Sequence, residues 1–182
     1  MKKALSIILI IAILFAALFV LTGCGEKKEE VNETKVEEVK PVDETLITIN
    51  GLEFHIDQDK EFKGLNYKVV GDFKEVNQDL FTTYVQYNYL TDDGNLLYFR
   101  IFYYEGKTKE DAVQDLGIEG DIIYTDGKTN DVDYKFYGPA RDDGGTMHYY
   151  FIEHEGNTYA ITFTSKYDIK DFEEKVMKSV KF

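Results

Sequence analysis

Two runs of alternating apolar and polar residues near the C-terminus place the strongest constraint on the fold. They are Met147–Glu153 and Thr158–Thr164, and a short turn-forming segment, Glu155-Gly156-Asn157, joins them. Because successive side chains of a strand point to opposite faces, this period of two predicts a β-hairpin. A turn at Glu155-Gly156 or at Gly156-Asn157 fits, and each side chain keeps its face in both.

A second hairpin is predicted where the apolar content of the chain rises. Leu46–Ile49 and Leu52–Ile56 are joined by Asn50-Gly51, the sequence most typical of a two-residue hairpin turn. In this hairpin Ile49 pairs with Leu52, and His55 points away from the apolar face. The side chains expected to share that face are Ile47, Ile49, Leu52 and Phe54.

Further short strands are predicted between turn-forming residues. They are Leu65–Val70, Phe73–Val76, Phe81–Leu90, Leu96–Glu105, Asp121–Tyr124 and Val132–Tyr137. Asp57–Gly64 and the segment around Asp126-Gly127 are predicted to be loops because they are polar and lack apolar alternation. Phe81–Leu90 and Leu96–Glu105 carry large apolar side chains on both faces, as expected of a sheet with something packed on each side.

The first predicted helix runs from Thr108 to Leu116. Thr108 fits the N-cap position, and Asp111 completes a capping box, in which the side chain of each residue bonds to the backbone of the other. Gly117 suits the position after the last turn, where the backbone takes a left-handed conformation.

The second predicted helix runs from about Ile169 to Val180, with Asp168 as its N-cap. At about 100° per residue, its apolar side chains fall within an arc of about 80°. They are Ile169, Phe172, Val176 and Val180. We expect this arc to dock on the more continuous apolar face of the C-terminal hairpin. That face carries Tyr150, Ile152, Tyr159, Ile161 and Phe163.

The N-terminus has the pattern of a secretory signal peptide. Lys2-Lys3 precedes an almost wholly apolar run, Ala4–Leu21, and small residues follow it. Leu21-Thr22-Gly23-Cys24 resembles the lipobox of bacterial lipoproteins, with a branched aliphatic residue and two small residues before a cysteine. The resemblance implies a diacylglyceryl group on the Cys24 sulfur, followed by signal cleavage between Gly23 and Cys24.

This resemblance also implies a location, the extracytoplasmic face of the cell membrane. A thiolate is the nucleophile that thioether formation requires, and two acyl chains hold a protein stably where one does not. The alternative is an uncleaved transmembrane helix, and the 18 residues of Ala4–Leu21 are at the short end for a hydrocarbon core of about 30 Å. Cys24 is the only cysteine, so the fold is expected to depend on packing without an intramolecular disulfide.

The mature chain is acidic and is expected to hold one domain behind a linker. Gly25–Thr45 is rich in Glu and Lys and has no aromatic residue, which predicts a disordered linker. Because Lys2-Lys3 leaves with the signal peptide, 34 acidic residues face 19 basic ones, a net charge of −15 that argues against nucleic acid. The expected organisation is a signal peptide at 1–23, lipidated Cys24 plus acidic linker at 24–45, and a single domain at 46–182.

The C-terminal part resembles the PsbP-like superfamily. The resemblance lies in a Tyr-x-Ile-x-Phe strand, Asn157-Thr158-Tyr159-Ala160-Ile161-Thr162-Phe163, and a helix, Asp171-Phe172-Glu173-Glu174-Lys175-Val176, whose Phe and Val face the sheet. It implies an α+β fold over residues 46–182: a mainly antiparallel sheet with helices packed on its faces, an α/β/α sandwich. The apolar signal helix and the disordered linker would precede it. Members are mostly accessory or binding proteins, so no catalytic residue is implied.

The sequence contains no recognisable catalytic, metal or cofactor site. His148 and His154 lie six residues apart on one strand, about 20 Å at strand rise, and with His55 they are interpreted as surface histidines. Asp126–Asp133 has enough oxygen ligands for Ca²⁺ but not the spacing of a dedicated calcium loop. The other acidic loops contain Asp57/Asp59, Asp92/Asp93 and Asp142/Asp143. The two carboxylates of a hydrolase need not be close in sequence, so a hydrolase stays among the alternatives.

The expected function is that of a non-enzymatic binding or accessory module of the cell envelope, with an envelope protein or glycan as partner. The chain has 14 tyrosines and no tryptophan. The tyrosines could form a surface on which sugars or peptides stack, or they could simply favour strands and fill the core. The alternatives are a lipoprotein that binds a small ligand or a divalent cation, and a cell-envelope hydrolase. A shallow aromatic face would favour the binding module, whereas a pocket of convergent polar groups with perturbed pKa values would favour the enzyme.

Overall fold

The computed structural model describes residues 43–76, 83–90 and 96–182. The predicted signal peptide, Gly23, Cys24 and nearly all of the predicted linker lie outside these residues, as do residues 77–82 and 91–95. Over the described ranges the chain is an α+β protein, mostly antiparallel sheet with two helices. No helix in this part of the chain combines the length and the apolar character needed to cross a membrane.

Three strands form a small antiparallel sheet. They are β1 (Leu46–Ile49), β2 (Leu52–Phe62) and β3 (Leu65–Val70), with β2 in the centre. The predicted hairpin register is confirmed, because Ile47 pairs with Phe54. The turn residues have positive φ values, 50° at Asn50 and 78° at Gly51, which a two-residue hairpin turn requires.

The prediction of a loop at Asp57–Gly64 is wrong, because β2 continues as far as Phe62. From Ile56 onward it pairs with β3, with one irregularity in the register between Ile56 and Gln58. The pairing depends on backbone hydrogen bonds, which polar side chains do not prevent. Since β3 supplies buried apolar side chains such as Leu65, the exposed side chains of this part of β2 can be polar.

Seven strands form the larger antiparallel sheet. They are β4 (Lys74–Val76), β5 (Tyr84–Leu90), β6 (Leu96–Tyr104), β7 (Thr125–Thr129), β8 (Val132–Tyr137), β9 (Thr146–His154) and β10 (Asn157–Ser165). Their order in the sheet is β4-β5-β6-β10-β9-β8-β7. The C-terminal hairpin β9-β10 is confirmed together with its two predicted faces, and its turn is Glu155-Gly156, which leaves Asn157 opposite His154.

Two predictions at the edge of this sheet are wrong. Asp121–Tyr124 is not a strand, and the polar stretch around Asp126-Gly127 is the edge strand β7. Gly127 lies opposite Tyr134, and a Cβ added to Gly127 would lie 2.2 Å from that ring. Glycine weakens the sequence signal for a strand, but here its missing side chain makes room for the ring of its cross-strand neighbour.

The first helix, α1, spans Lys109–Asp115 and has the predicted capping box. The backbone N–H of Asp111 donates to Oγ1 of Thr108 over 3.3 Å, and the backbone N–H of Thr108 donates to Oδ2 of Asp111 over 2.9 Å. These bonds satisfy donors that the first turn of a helix leaves unpaired. Gly117 follows the helix with a φ of 66°, as predicted.

The second helix, α2, spans Lys170–Ser179, and its N-cap differs from the one predicted. The carbonyl of Ile169 accepts the first helical hydrogen bond, from Glu173 N over 2.9 Å, so Ile169 is the N-cap. Asp168 instead accepts a bond from Lys170 N over 3.0 Å, one residue before the cap. The predicted apolar arc is confirmed, because none of its members is more than 2% exposed: Ile169, Phe172, Val176 and Val180.

Residues of both sheets and of α2 form the larger core. Phe172 is fully buried, and its ring centroid lies 5.7 Å from that of Phe163, 5.4 Å from that of Phe73 and 6.2 Å from that of Phe99. The contact with Phe163 confirms that the helix docks on the predicted hairpin face. The helix also contacts β1 and β3, so it joins the two sheets.

The buried phenols of Tyr67 and Tyr87 make alkaline pH a test of this core. Their hydroxyl oxygens are 2.8 Å apart, and burial raises the pKa of Tyr67 to about 12 and raises that of Tyr87 as well. Above a pH of about 10 the unfolded chain releases protons that the folded chain retains. We therefore expect the free energy of unfolding to be insensitive to these groups below that pH and to fall as the pH rises towards 12.

Urea unfolding at about pH 8 and about pH 11 measures this loss. The matched control is the double variant Tyr67→Phe/Tyr87→Phe, which removes both hydroxyls and so leaves neither one unpaired in the core. We expect the variant to lose less stability than the natural chain between the two pH values. An equal loss would mean that other groups cause the alkaline unfolding.

Candidate binding surface

The helix α1 covers only one end of the second face of the seven-stranded sheet. There Ala112 of α1 belongs to a small core with Phe151 and Ala160 of the hairpin. Tyr124, from the segment after α1, places its ring at right angles to that of Phe151, with centroids 6.1 Å apart. Some aromatic side chains of this face are therefore covered by α1 and the segment after it. Others lie farther along the strands.

Two rows of side chains cross the strands next to this core, of which Tyr149 is a member and against which Met147 packs. The pairing of β5, β6, β10 and β9 fixes both rows. The first row is Gln86, Arg100, Thr162 and Tyr149. The second row is Asn88, Tyr98, Thr164 and Met147. We refer to the partly exposed members around the two arginines as the open sheet face: Gln86, Tyr98, Arg100, Met147 and, from the loop before β9, Arg141.

Arg100 is held in place by its neighbours in the sheet. Its guanidinium carbon lies 4.7 Å from the ring centroid of Tyr98, and its Nε donates a hydrogen bond to the side-chain oxygen of Gln86. A guanidinium stacked over an aromatic ring is attracted by the negative charge on the face of that ring. Its remaining N–H groups point outward in the plane of the guanidinium, where they can donate hydrogen bonds. The charge is therefore presented in a fixed orientation on an aromatic base.

Arg141 is fixed by Asp143 in the loop between β8 and β9. Nε of Arg141 lies 2.8 Å from Oδ1 of Asp143, and a terminal nitrogen lies 2.5 Å from Oδ2. These hydrogen bonds hold the pKa of Asp143 well below its usual range. Burial raises the pKa of Tyr149, and the positive charges of Arg100 and Arg141 both oppose that rise. The two arginines therefore act on the same buried phenol through their charges.

The open sheet face is suited to recognition of a partner that presents anionic groups. Arg100 and Arg141 are the only arginines in a chain whose net charge is −13. Guanidinium groups bind carboxylates and phosphates through two parallel hydrogen bonds. Tyrosine and arginine are also the side chains most enriched at the energetic centres of protein interfaces.

A second group of polar side chains links α2 to β9 around the buried Glu173. Nδ1 of His148 lies 2.9 Å and 2.8 Å from the two carboxylate oxygens of Glu173, and the hydroxyl of Tyr150 donates a hydrogen bond to the same carboxylate. Burial and the adjacent carboxylate raise the pKa of Tyr150, which keeps its hydroxyl a donor at alkaline pH as well. These bonds compensate the cost of burying an acidic side chain.

The surroundings of His148 favour a structural role for this group over a catalytic one. The ring of Phe136 stands at right angles to the imidazole with centroids 5.1 Å apart. A Cβ added to Gly138 would lie 3.1 Å from Nε2, so the imidazole lies close to Gly138. We infer that the group fastens the helix to the sheet.

Sequence reasoning did not identify Glu173 as part of this group. A signal for its burial was present, because Glu173 lies about 20° beyond Val180 on the helical wheel, at the edge of the apolar arc. Its partners were harder to find, because they depend on which strand lies under the helix. His148, interpreted as a surface histidine, keeps 32% of its side chain exposed while it bonds to Glu173, whereas His55 is exposed and lies 3.4 Å from Asp43. His154 stacks on Phe182 with ring centroids 3.7 Å apart.

Several carboxylates of the described acidic loops lie beside cationic side chains. Asp126 pairs with Lys135, whereas Asp131 and Asp133 lie 3.5 Å and 3.9 Å from Nζ of Lys128. Asp59 pairs with a lysine and Asp143 with Arg141, and the predicted loop with Asp92/Asp93 lies outside the described residues. Among the residues that the structure describes, no group of three or more His, Cys, Asp or Glu side chains is placed to hold a metal ion.

Comparisons with known proteins do not assign the chain to a family. No model of a known protein family matches the sequence, and no curated protein matches it significantly.

Proposed function

We propose that this chain is a lipid-anchored extracytoplasmic protein that acts as a non-enzymatic binding or accessory module of the cell envelope. The lipobox-like sequence that ends at Cys24 supports the anchor, which would be a diacylglyceryl group on the mature N-terminus. A PsbP-like α/β/α sandwich is the fold that we propose for residues 46–182. The packing of α2 on one face of the seven-stranded sheet and of α1 on the other supports it.

The open sheet face is the single observation on which the binding role depends. It combines two fixed guanidinium groups with the ring of Tyr98 on a broad sheet surface. The proposed partner is an envelope protein or glycan that presents carboxylate or phosphate groups. A catalytic pocket would instead bring a nucleophile or metal ligands together. The Glu173 group does not have that form, because the imidazole of His148 packs against the ring of Phe136 and beside Gly138.

The alternative of a divalent-cation-binding protein has weaker support. Its candidate ligands, Asp126, Asp131 and Asp133, lie beside lysines, whose charge competes with a cation. For the hydrolase alternative the candidate catalytic residues are those of the Glu173 group. There the Tyr150 hydroxyl and the His148 ring both bond to the carboxylate of Glu173, which gives them a structural role and weakens this alternative.

Crosslinking followed by affinity capture from intact cells tests the binding role. In the double variant Arg100→Gln/Arg141→Gln, recovery of the specific partner should fall by about tenfold or more, because truncation of a central interface arginine commonly costs about 2 kcal/mol. The control Lys107→Gln/Lys128→Gln removes the same charge elsewhere and should leave recovery unchanged. If both double variants recover the same partner equally well, the open sheet face is not the binding surface.

A further inference from the structure

A groove of about 700 Å³ lies at the C-terminal end of α2. Four lysines from different parts of the fold line it: Lys60 of β2, Lys68 of β3, Lys178 of α2, and Lys181 of the C-terminal segment. Asp59 is the only acidic residue among the described residues that line it. In a chain with a net charge of −13, this is a marked local concentration of positive charge.

Three of these lysines form ion pairs that differ in exposure. The pairs are Lys60–Glu75 at 3.0 Å, Lys68–Asp59 at 3.1 Å and Lys178–Glu174 at 3.6 Å. The side chain of Asp59 is 83% exposed and that of Glu174 is 51% exposed, so water and salt weaken both interactions. Lys181 forms no ion pair with a described residue. A ligand with a higher charge than a carboxylate can therefore displace Asp59 and Glu174, whereas the Lys60–Glu75 pair is only about one-third exposed.

Side-chain donors cover the helix carbonyls that would otherwise repel an anion. The C-terminal end of a helix carries partial negative charge on its unpaired carbonyl groups. Nδ2 of Asn130 donates to the carbonyls of Lys178 and Val180, the second over 3.1 Å. Oγ1 of Thr129 donates to the carbonyl of Met177 over 2.9 Å. The lysines are therefore the charges that dominate this end of the helix.

The backbone beneath the lysines is held by hydrogen bonds between distant elements. Asn66 and Lys181 exchange two backbone bonds, of 2.8 Å and 3.0 Å. The backbone N–H of Lys68 donates to Oγ of Ser179 over 2.8 Å. The base of the groove is thus fixed, and only the ends of the lysine side chains need to adjust to a ligand.

We propose that this groove binds a small polyanion with two or more phosphate groups. An ammonium group is a compact charge that binds phosphate oxygens, and four of them line a space larger than one phosphate. Stabilisation of the helix C-terminus explains Lys178, but it does not explain Lys60 and Lys68, which lie on strands. The site is separate from the open sheet face and does not depend on the function proposed for that face.

Calorimetric titration of the full chain in nonionic detergent with inorganic tripolyphosphate tests this proposal. At about 50 mM salt, where screening is moderate, we expect saturable binding with one ligand per chain. The double variant Lys68→Gln/Lys181→Gln should weaken binding about tenfold, since each lysine supplies a charge-assisted contact. Lys107→Gln/Lys128→Gln has the same net charge with the groove intact, and its affinity should stay within about twofold of the natural chain.

Two outcomes would overturn the proposal: no saturable binding, or an equal loss of affinity in the two double variants. Cardiolipin, a lipid whose headgroup carries two phosphates, is added to the micelles to distinguish the source of the phosphate. If it competes with tripolyphosphate, the groove accepts lipid headgroups. If tripolyphosphate binds with unchanged affinity in its presence, the ligand is a soluble polyanion, and the phosphate site stands in either case.

Discussion

Truncation of Phe172 to alanine is expected to unfold the protein or to leave it barely stable. The ring is fully buried and contacts Phe99 of β6, Phe163 of β10 and Phe73 from the segment between β3 and β4. Removal of a buried phenylalanine side chain typically costs about 3–5 kcal/mol. A domain of this size has a total stability of about 5–15 kcal/mol, and no disulfide within the domain limits the loss, because Cys24 is the only cysteine.

Urea denaturation of Phe172→Ala beside Lys178→Ala measures the effect. Lys178 lies on the exposed side of the same helix, and its side chain, 74% exposed, lies 3.6 Å from Glu174. Such a pair contributes only a few tenths of a kcal/mol, about 0.3–0.5, so the control should be nearly as stable as the natural chain. Equal denaturation midpoints for the two variants would show that α2 is peripheral to the core.

Substitution of Cys24 by alanine is expected to abolish lipid attachment completely. The sulfur is the atom that the proposed thioether requires, and this is the only thiol in the chain. The variant should take up no labelled fatty acid and should keep residues 1–23, since lipidation precedes cleavage in the lipoproteins that the lipobox resembles. Metabolic labelling and the mass of the purified chain measure the two effects.

The matched control for the anchor is Thr22→Ala. The position before Gly23 holds a small residue in the lipobox-like sequence, and alanine is also small, so labelling and cleavage should persist. Unchanged labelling of Cys24→Ala would refute the proposed attachment site. Loss of labelling in both variants would instead point to failed export.

Signals between neighbouring residues made much of the fold predictable. The turn residues Asn50-Gly51 indicated the register of β1 and β2. The reciprocal hydrogen bonds of the capping box between Thr108 and Asp111 indicated the start of α1. The apolar arc of α2 was also readable, because residues three and four positions apart share a face of a helix. In each case the interacting groups lie within a few residues of one another.

The sequence pattern failed where a distant strand supplies the partner. β7 contains Asp126-Gly127 and reads as a loop, but it pairs with β8, and the ring of Tyr134 occupies the space beside Gly127. β2 extends past its apolar stretch because β3 provides both the backbone partners and the buried side chains. Backbone pairing of this kind has little dependence on the local side chains, so composition does not reveal it.

By itself the sequence determined that the folded part is an α+β protein, with its hairpins and with the face that each helix buries. It determined this much because turns, caps and periodic apolar faces depend on short-range contacts. Only the tertiary structure decided which charged groups meet. Glu173 joins His148 and Tyr150, and lysines from four separate parts of the fold line one groove. Such meetings depend on the order and register of strands far apart in the chain, which local propensities do not encode.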